Sequence, residues 1–165
     1  MTTEKCFACG GTFKDMDGPV HAYMDSTPGC WAAFGEVLAK EYSDQAYFKI
    51  HRLTVDLYAI QHPGKKDSRQ AIQSVGFHLI RLYLFLEKDL QPEHANAVMV
   101  KAAKSKHLFT YLEPPQIENK ITVADVAKAQ TPEEHITLVK AWAENIWETW
   151  AQHHDTIKKW AQLNQ

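Results

Sequence analysis

The sequence predicts a mainly α protein, a helical bundle of four to five main helices with a small Cys/His metal-binding segment at its N-terminus. Three observations carry this expectation. Apolar residues recur at spacings of three and four through most of the chain beyond residue 28, the period of one helix face. Helix start and stop signals bracket those stretches, with Thr-Pro at 27–28 and 131–132 and His62-Pro63-Gly64 as a stop. All three cysteines, by contrast, fall within the first 31 residues.

Length and composition set the outer limits. A chain of 165 residues can bury one core, so residues 1–165 are read as a single domain, with 1–31 a zinc-binding annex and 32–165 the bundle. A hydrophobic share of 45% and a charged share of 23% are ordinary globular values. The net charge of −2 argues against a general nucleic-acid binder, which needs a basic face to neutralise phosphates. The lysines at 101, 104, 106, 158 and 159 read as solvated helix surface. The start, M-T-T-E-K-C, lacks the apolar core of a signal peptide, and no run approaches the ~18 apolar residues of a membrane span. An odd number of cysteines makes a poor disulfide framework, so the expected compartment is a reducing cytoplasm.

The annex comes first in the chain. Cys6 and Cys9 are separated by two residues, which lets one tight turn aim both sulfurs at one ion, and Gly10-Gly11 supplies the backbone freedom for that turn. Thr27 as N-cap and Pro28 at the first helical position put Cys30 in a first turn, where free amides and the helix dipole favour thiolate. With His21 the set becomes Cys6, Cys9, His21 and Cys30, a tetrahedral group that suits zinc. Asp15, Asp17 and Asp25 compete with His21 for the fourth place. Four protein ligands leave no open position, so structural zinc is favoured over catalytic zinc. A redox C-x-x-C normally opens a helix after a strand, whereas nothing strand-like precedes Cys6 here and glycines follow Cys9.

The helices follow in order. The first spans about Pro28 to Tyr42, with Trp31, Phe34, Val37 and Leu38 as its stripe. Ser43 caps a second from about Asp44 to Gln61, in which only Lys49, Arg52 and Asp56 mark a polar side, so this helix is central. Asp56 reads as an exposed i,i+4 partner of Arg52. A third helix, about Arg69 to Lys88, carries a polar band of Gln70, Gln73, Ser74, His78 and Arg81 beside its apolar core. Such a band is a solvent face or one wall of a pocket. Pro92 opens a fourth helix to about Lys104, and an irregular stretch follows. Thr122 with Asp125 caps a brief helix, and Thr131-Pro132-Glu133-Glu134 launches the last, roughly Pro132 to Leu163. Its stripe holds Val139, Trp142, Ile146, Trp150, Ile157 and Trp160. The five tryptophans of the chain would serve a core or a homodimer interface equally.

Nine histidines are many for this length. His51 and His62 lie eleven residues apart, about 16 Å along a helix, too far to share one metal. A second, catalytic site would draw on several helices, with His62, His78 and His154 as candidates and Gln70 and Arg81 beside them.

The phrases C-x-x-C-G, D-G-P-x-H-x-Y-M, S-T-P-G-C-W, H-R-L-T-V-D, Q-H-P-G, S-R-Q-A-I-Q-S-V and W-A-Q-H-H, spread over nearly the whole chain, resemble an uncharacterised bacterial protein family, a domain of unknown function. The resemblance implies that Cys6, Cys9, His21 and Cys30 belong to family motifs, as do His51, Asp56, His62, Arg69, Gln70, His78 and His154. It brings no activity, cofactor or partner. A looser likeness is to metal-dependent helical bundles, among them DNA-damage-inducible and thiol-transferase proteins, which hold one divalent metal by three histidines. Those carry H-x-x-x-H on a late helix, where this chain has only His153-His154.

Three function classes remain open at this level: a binding or regulatory module with structural zinc, a metal-dependent hydrolase or transferase with a histidine-lined site in the bundle, and a zinc-thiolate redox sensor. The first is favoured because no nucleophile elbow, phosphate loop or dinucleotide fingerprint is present.

Overall fold

The structure, a computed structural model, describes residues 1–163. Two short strands, β1 (Thr3–Lys5) and β2 (Thr12–Lys14), pair antiparallel with Glu4 opposite Phe13. Eight helices follow among the described residues: α1 (Pro28–Ser43), α2 (Gln45–Phe48), α3 (His51–Gln61), α4 (Arg69–Glu87), α5 (Asn96–Ala103), α6 (Val123–Val126), α7 (Pro132–Thr149) and α8 (His154–Gln162). The fold is mainly α, as the periodicity predicts. A short strand does precede Cys6, contrary to the sequence reading. Three residues with one buried side chain, Phe13 across from Glu4, are too brief for an alternation signal.

Helix α3 is the centre of the molecule. Leu53, Thr54, Asp56, Leu57, Tyr58, Ala59 and Ile60 are all essentially inaccessible, and the helix meets solvent along the side of exposed Arg52, with His51 and Val55 partly covered beside it. It packs on α4, α7 and α1. Four of the five tryptophans, Trp142, Trp147, Trp150 and Trp160, are buried in the same core. Among the described residues no helix is long and apolar enough to cross a membrane.

Two long helices predicted from the pattern are each broken. The expected 44–61 segment splits at Lys49-Ile50, and Asp44 rather than Ser43 caps α2, its carboxylate accepting from Ala46 N–H at 2.8 Å. The Ser43 hydroxyl instead donates back to the Lys40 carbonyl. The expected 132–163 helix stops at Thr149, turns through a 3-10 segment at Ala151–His153 and restarts. His154 explains the stop: its Nε2–H donates to the Trp147 carbonyl at 2.7 Å, taking the acceptor that a continuing helix would offer to residue 151. Its ring also stacks on Trp147 at 3.7 Å.

The caps of the later helices follow their sequence signals. Thr122 and Asp125 form a reciprocal capping box. Thr131 Oγ1 accepts from Glu134 N–H, while the Glu134 carboxylate reaches one residue further back, to Gln130 N–H. Thr27 sits at the N-cap of α1, but its hydroxyl makes no cap bond and is buried without a partner.

Candidate metal centre

The β1–β2 turn builds the first half of the site. Cys6 N–H donates to the Gly11 carbonyl and Gly10 N–H to the Cys6 carbonyl, closing the chain tightly around Cys9. Gly10 has a φ of +82°, a conformation that side-chain-bearing residues rarely adopt. The Gly11 amide then points at Cys9 Sγ, 3.4 Å away. Asn119 clamps the turn from outside by donating to the Cys9 carbonyl at 3.1 Å.

The second half comes from two helix ends. Cys30 lies in the first turn of α1, which approaches β2 so closely that a Cβ on Gly29 would sit 2.0 Å from the Lys14 carbonyl oxygen. His62 is the C-cap of α3, at the point where Pro63 and Gly64 end the helix. Its Nδ1–H donates to the Tyr58 carbonyl at 2.7 Å, which fixes the tautomer and turns the Nε2 lone pair towards Cys30 Sγ, 3.2 Å away. Tyr58 lies between His62 and Phe34, stacked at 3.8 Å on each, so the ring against the imidazole is itself backed by α1.

These elements bring Cys6, Cys9, Cys30 and His62 together, with four ligand atoms all within 4.8 Å of one another and every residue buried. Among the described residues this is the group of three or more His, Cys, Asp or Glu that could hold a metal ion. The donor set fits zinc. Bonds of about 2.3 Å to sulfur and about 2.0 Å to nitrogen imply tetrahedral edges of roughly 3.8 and 3.5 Å. Cys9 Sγ to Cys30 Sγ is 3.9 Å and Cys30 Sγ to His62 Nε2 is 3.2 Å, close to both values.

Electrostatics point the same way. Hydrogen bonds from Cys30 and Cys9 hold the Cys6 thiol well below its usual range, against the opposing effect of burial. Cys30 is pushed up, first by its bond to Cys6, then by Cys9 and by burial. Three thiolates in so small a buried space repel one another, and a cation between them offsets that repulsion. Burial, reinforced by the neighbouring Cys30, also pushes up the Tyr58 hydroxyl, so it remains an O–H donor to Cys30 Sγ at 3.4 Å.

His21, expected as the fourth member, stands elsewhere. Its Nδ1 accepts from Tyr23 N–H at 3.2 Å, its ring packs against Tyr23 and Trp31, and burial lowers its pKa. Proximity in the chain favoured it, but the loop folds its imidazole onto aromatic rings while α3 delivers His62 from 32 residues beyond Cys30.

The other histidine candidates do not converge. His62 faces the cysteines, His78 Nδ1 bonds Asp56, and His154 bonds the Trp147 carbonyl. Arg81 also bonds Asp56, and Gln70 lies on an exposed groove wall with both His78 and Arg81. Asp56 itself is fully buried, which corrects its reading as a surface partner of Arg52. His51 belongs to a separate buried network, in which it, His135 and Thr54 all donate to Glu41.

A cavity of about 450 Å³ opens beside the cysteines. Phe7 and Ala8, between Cys6 and Cys9, form one wall, and Gln61, Pro63 and Lys65, around His62, form another. Gln61 Nε2 donates to the Ile121 carbonyl, while its buried Oε1 has no partner.

No curated protein and no solved structure shows a significant match to this sequence. A family model does match, over residues 4–151, a span that takes in the whole Cys/His cluster together with Asp56 and His78. By that match the chain belongs to DUF5946, a family of unknown function.

Proposed function

We propose that the protein is a zinc-binding helical module in which Cys6, Cys9, Cys30 and His62 hold one structural Zn²⁺. The observation that carries this reading is the convergence of three buried thiols and a tautomer-fixed imidazole nitrogen within 4.8 Å. Four protein donors fill a tetrahedral zinc shell, so the ion supplies cohesion rather than an open position for water. It joins the N-terminal turn, the start of α1 and the end of α3. The walls of the adjoining cavity flank the ligands themselves, which supports a binding role in which zinc holds the recognition surface in shape. Thiol exchange is disfavoured because Cys6, Cys9 and Cys30 are at most 2% exposed, and reactive thiols need access.

The test is zinc content per chain by elemental mass spectrometry on untagged protein. One equivalent is expected in the wild type and in His21→Ala, with loss in Cys9→Ser and in His62→Ala after dialysis. Absence of metal from the wild type would overturn the reading, and loss in His21→Ala with retention in His62→Ala would overturn the ligand set.

A further inference from the structure

The buried charge cluster on the other side of α3 has no part in the metal centre. Asp56 is 0% exposed, yet only one of its oxygens is used: Oδ1 accepts from His78 Nδ1–H at 2.6 Å and from Arg81 Nη1–H at 3.3 Å. Asp56 Oδ2 and Arg81 Nε are buried without partners. Each unmet polar group costs on the order of 1–3 kcal/mol, and an apolar trio of similar volume would serve stability at least as well. A cluster kept at such a cost, beside a groove, is where function is to be sought.

The groove, of about 570 Å³, runs between α4 and α5. Gln70, Gln73, Ser74, Phe77, His78 and Arg81 line it from α4, at spacings of three and four that put them on one helix face. Met99 adds an apolar surface from α5. His78 and Arg81 are each 17% exposed, so both reach this groove from their anchor on the buried carboxylate. Because Asp56 takes the Nδ1–H, the imidazole carries its lone pair on Nε2, which has no partner among the described residues and lies on the edge turned away from Asp56. A histidine so oriented is a base with its accepting nitrogen at the ligand surface, and Arg81 provides a cation beside it.

We propose that this groove is a second site, independent of the metal centre, at which His78 acts as general base in the hydrolysis of a small carboxylic ester with an apolar substituent. Water bound at His78 Nε2 passes a proton to that nitrogen as its oxygen bonds to the carbonyl carbon. The carbonyl oxygen takes up the negative charge on the Arg81 side. Collapse of the tetrahedral species breaks the bond to the alkoxide, which recovers the proton from Nε2. Ester and water become acid and alcohol with no change of oxidation state. Asp56 is a positioning residue that holds the imidazole tautomer, and Phe77 with Met99 receives the apolar substituent.

The experiment follows p-nitrophenyl butyrate hydrolysis by the full-length, zinc-loaded protein and its variants. His78→Gln is expected to lower kcat/KM by about a hundredfold, the usual scale for a general base. His153→Ala, whose side chain meets the Glu113 carbonyl away from the groove, should leave the rate unchanged. Nitrogen-15 NMR should find the Nδ1–H tautomer at His78 in the wild type and a shift towards Nε2–H in Asp56→Asn, with a lower rate. The proposal is overturned if His78→Gln keeps the wild-type rate, or if the wild type is no faster than an equal amount of free imidazole. Should Asp56→Asn unfold, the half-buried His78→Gln still decides the matter.

Discussion

Two of the buried polar clusters on α3 differ in the kind of partner their atoms suit. The Glu41 carboxylate is met from within: His51 and His135 each donate at 2.8 Å and Thr54 adds a third bond, from helices α3 and α7, while His135 Nδ1 stays buried without a partner. Cys6, Cys9, Cys30 and His62 instead gather three thiols and an imidazole nitrogen within 4.8 Å of one another, a donor set suited to a metal ion. A carboxylate met by three protein donors is a fastening for the fold. A set of three thiols and one imidazole nitrogen is one that could hold a metal ion, and its softness suits a thiophilic divalent cation.

The largest expected effect breaks the Cys/His62 cluster. Removing zinc with a strong chelator, or substituting Cys9→Ser, should release the 1–31 segment while the bundle stays helical. Hydrogen exchange would rise in residues 6–14 and around Cys30, with far-UV circular dichroism nearly unchanged, because structural zinc contributes on the order of 10 kcal/mol to such small segments. Equal loss of structure throughout would show that the two regions are not separable in this way.

The Glu41 cluster should respond differently. Glu41→Ala leaves His51, His135 and Thr54 without their acceptor and is expected to cost about 3–5 kcal/mol in urea unfolding, with zinc content unaltered. A coupled loss of zinc would deny that the clusters are independent.

How far these sites could be read from sequence depends on the range of the contacts. Cys6 and Cys9 announce themselves through a two-residue spacing followed by glycines, and Cys30 through a helix start, all local signals. His62 carries no such mark, because its approach to Cys30 needs the packing of α3 against α1. One signal was present: a histidine at a helix end, four residues after Tyr58, can reach that carbonyl with Nδ1 and present Nε2 outward. Asp56 was misread for a related reason. Its i,i+4 arginine neighbour suggested a surface pair, whereas Asp56 is turned into the core and its true partners come from α4. The break after Thr149 was equally hidden, since it is made by the His154 side chain and not by proline or glycine.

Smaller effects sharpen the contrast between local and tertiary fastening. His154→Ala should cost about 1–2 kcal/mol, through the lost carbonyl bond and ring stacking at the α7–α8 turn. Thr131→Ala, which removes only a cap, should cost about 1 kcal/mol. Both are read from urea midpoints.

The smallest effect is a pH dependence at Glu87. Burial pushes its carboxyl up, but bonds from Lys158 and Trp147 Nε1 outweigh that and hold it below the usual value of 4.5. A depressed carboxylate stabilises the fold above its unfolded pKa, and that contribution fades as pH falls through the folded value. For a pair this exposed, solvent screening limits it to under about 1 kcal/mol. The difference in midpoint between wild type and Glu87→Gln should therefore be small at neutral pH and vanish in acid.

The most direct test of the central claim is the absorption spectrum of the protein titrated with Co²⁺ in place of zinc. The account predicts saturation at one equivalent, with intense tetrahedral d–d bands and thiolate-to-metal charge transfer. These should be displaced by zinc, unchanged in His21→Ala and altered in His62→Ala. A weak octahedral spectrum, or no thiolate band at all, would contradict a Cys₃His centre built from Cys6, Cys9, Cys30 and His62.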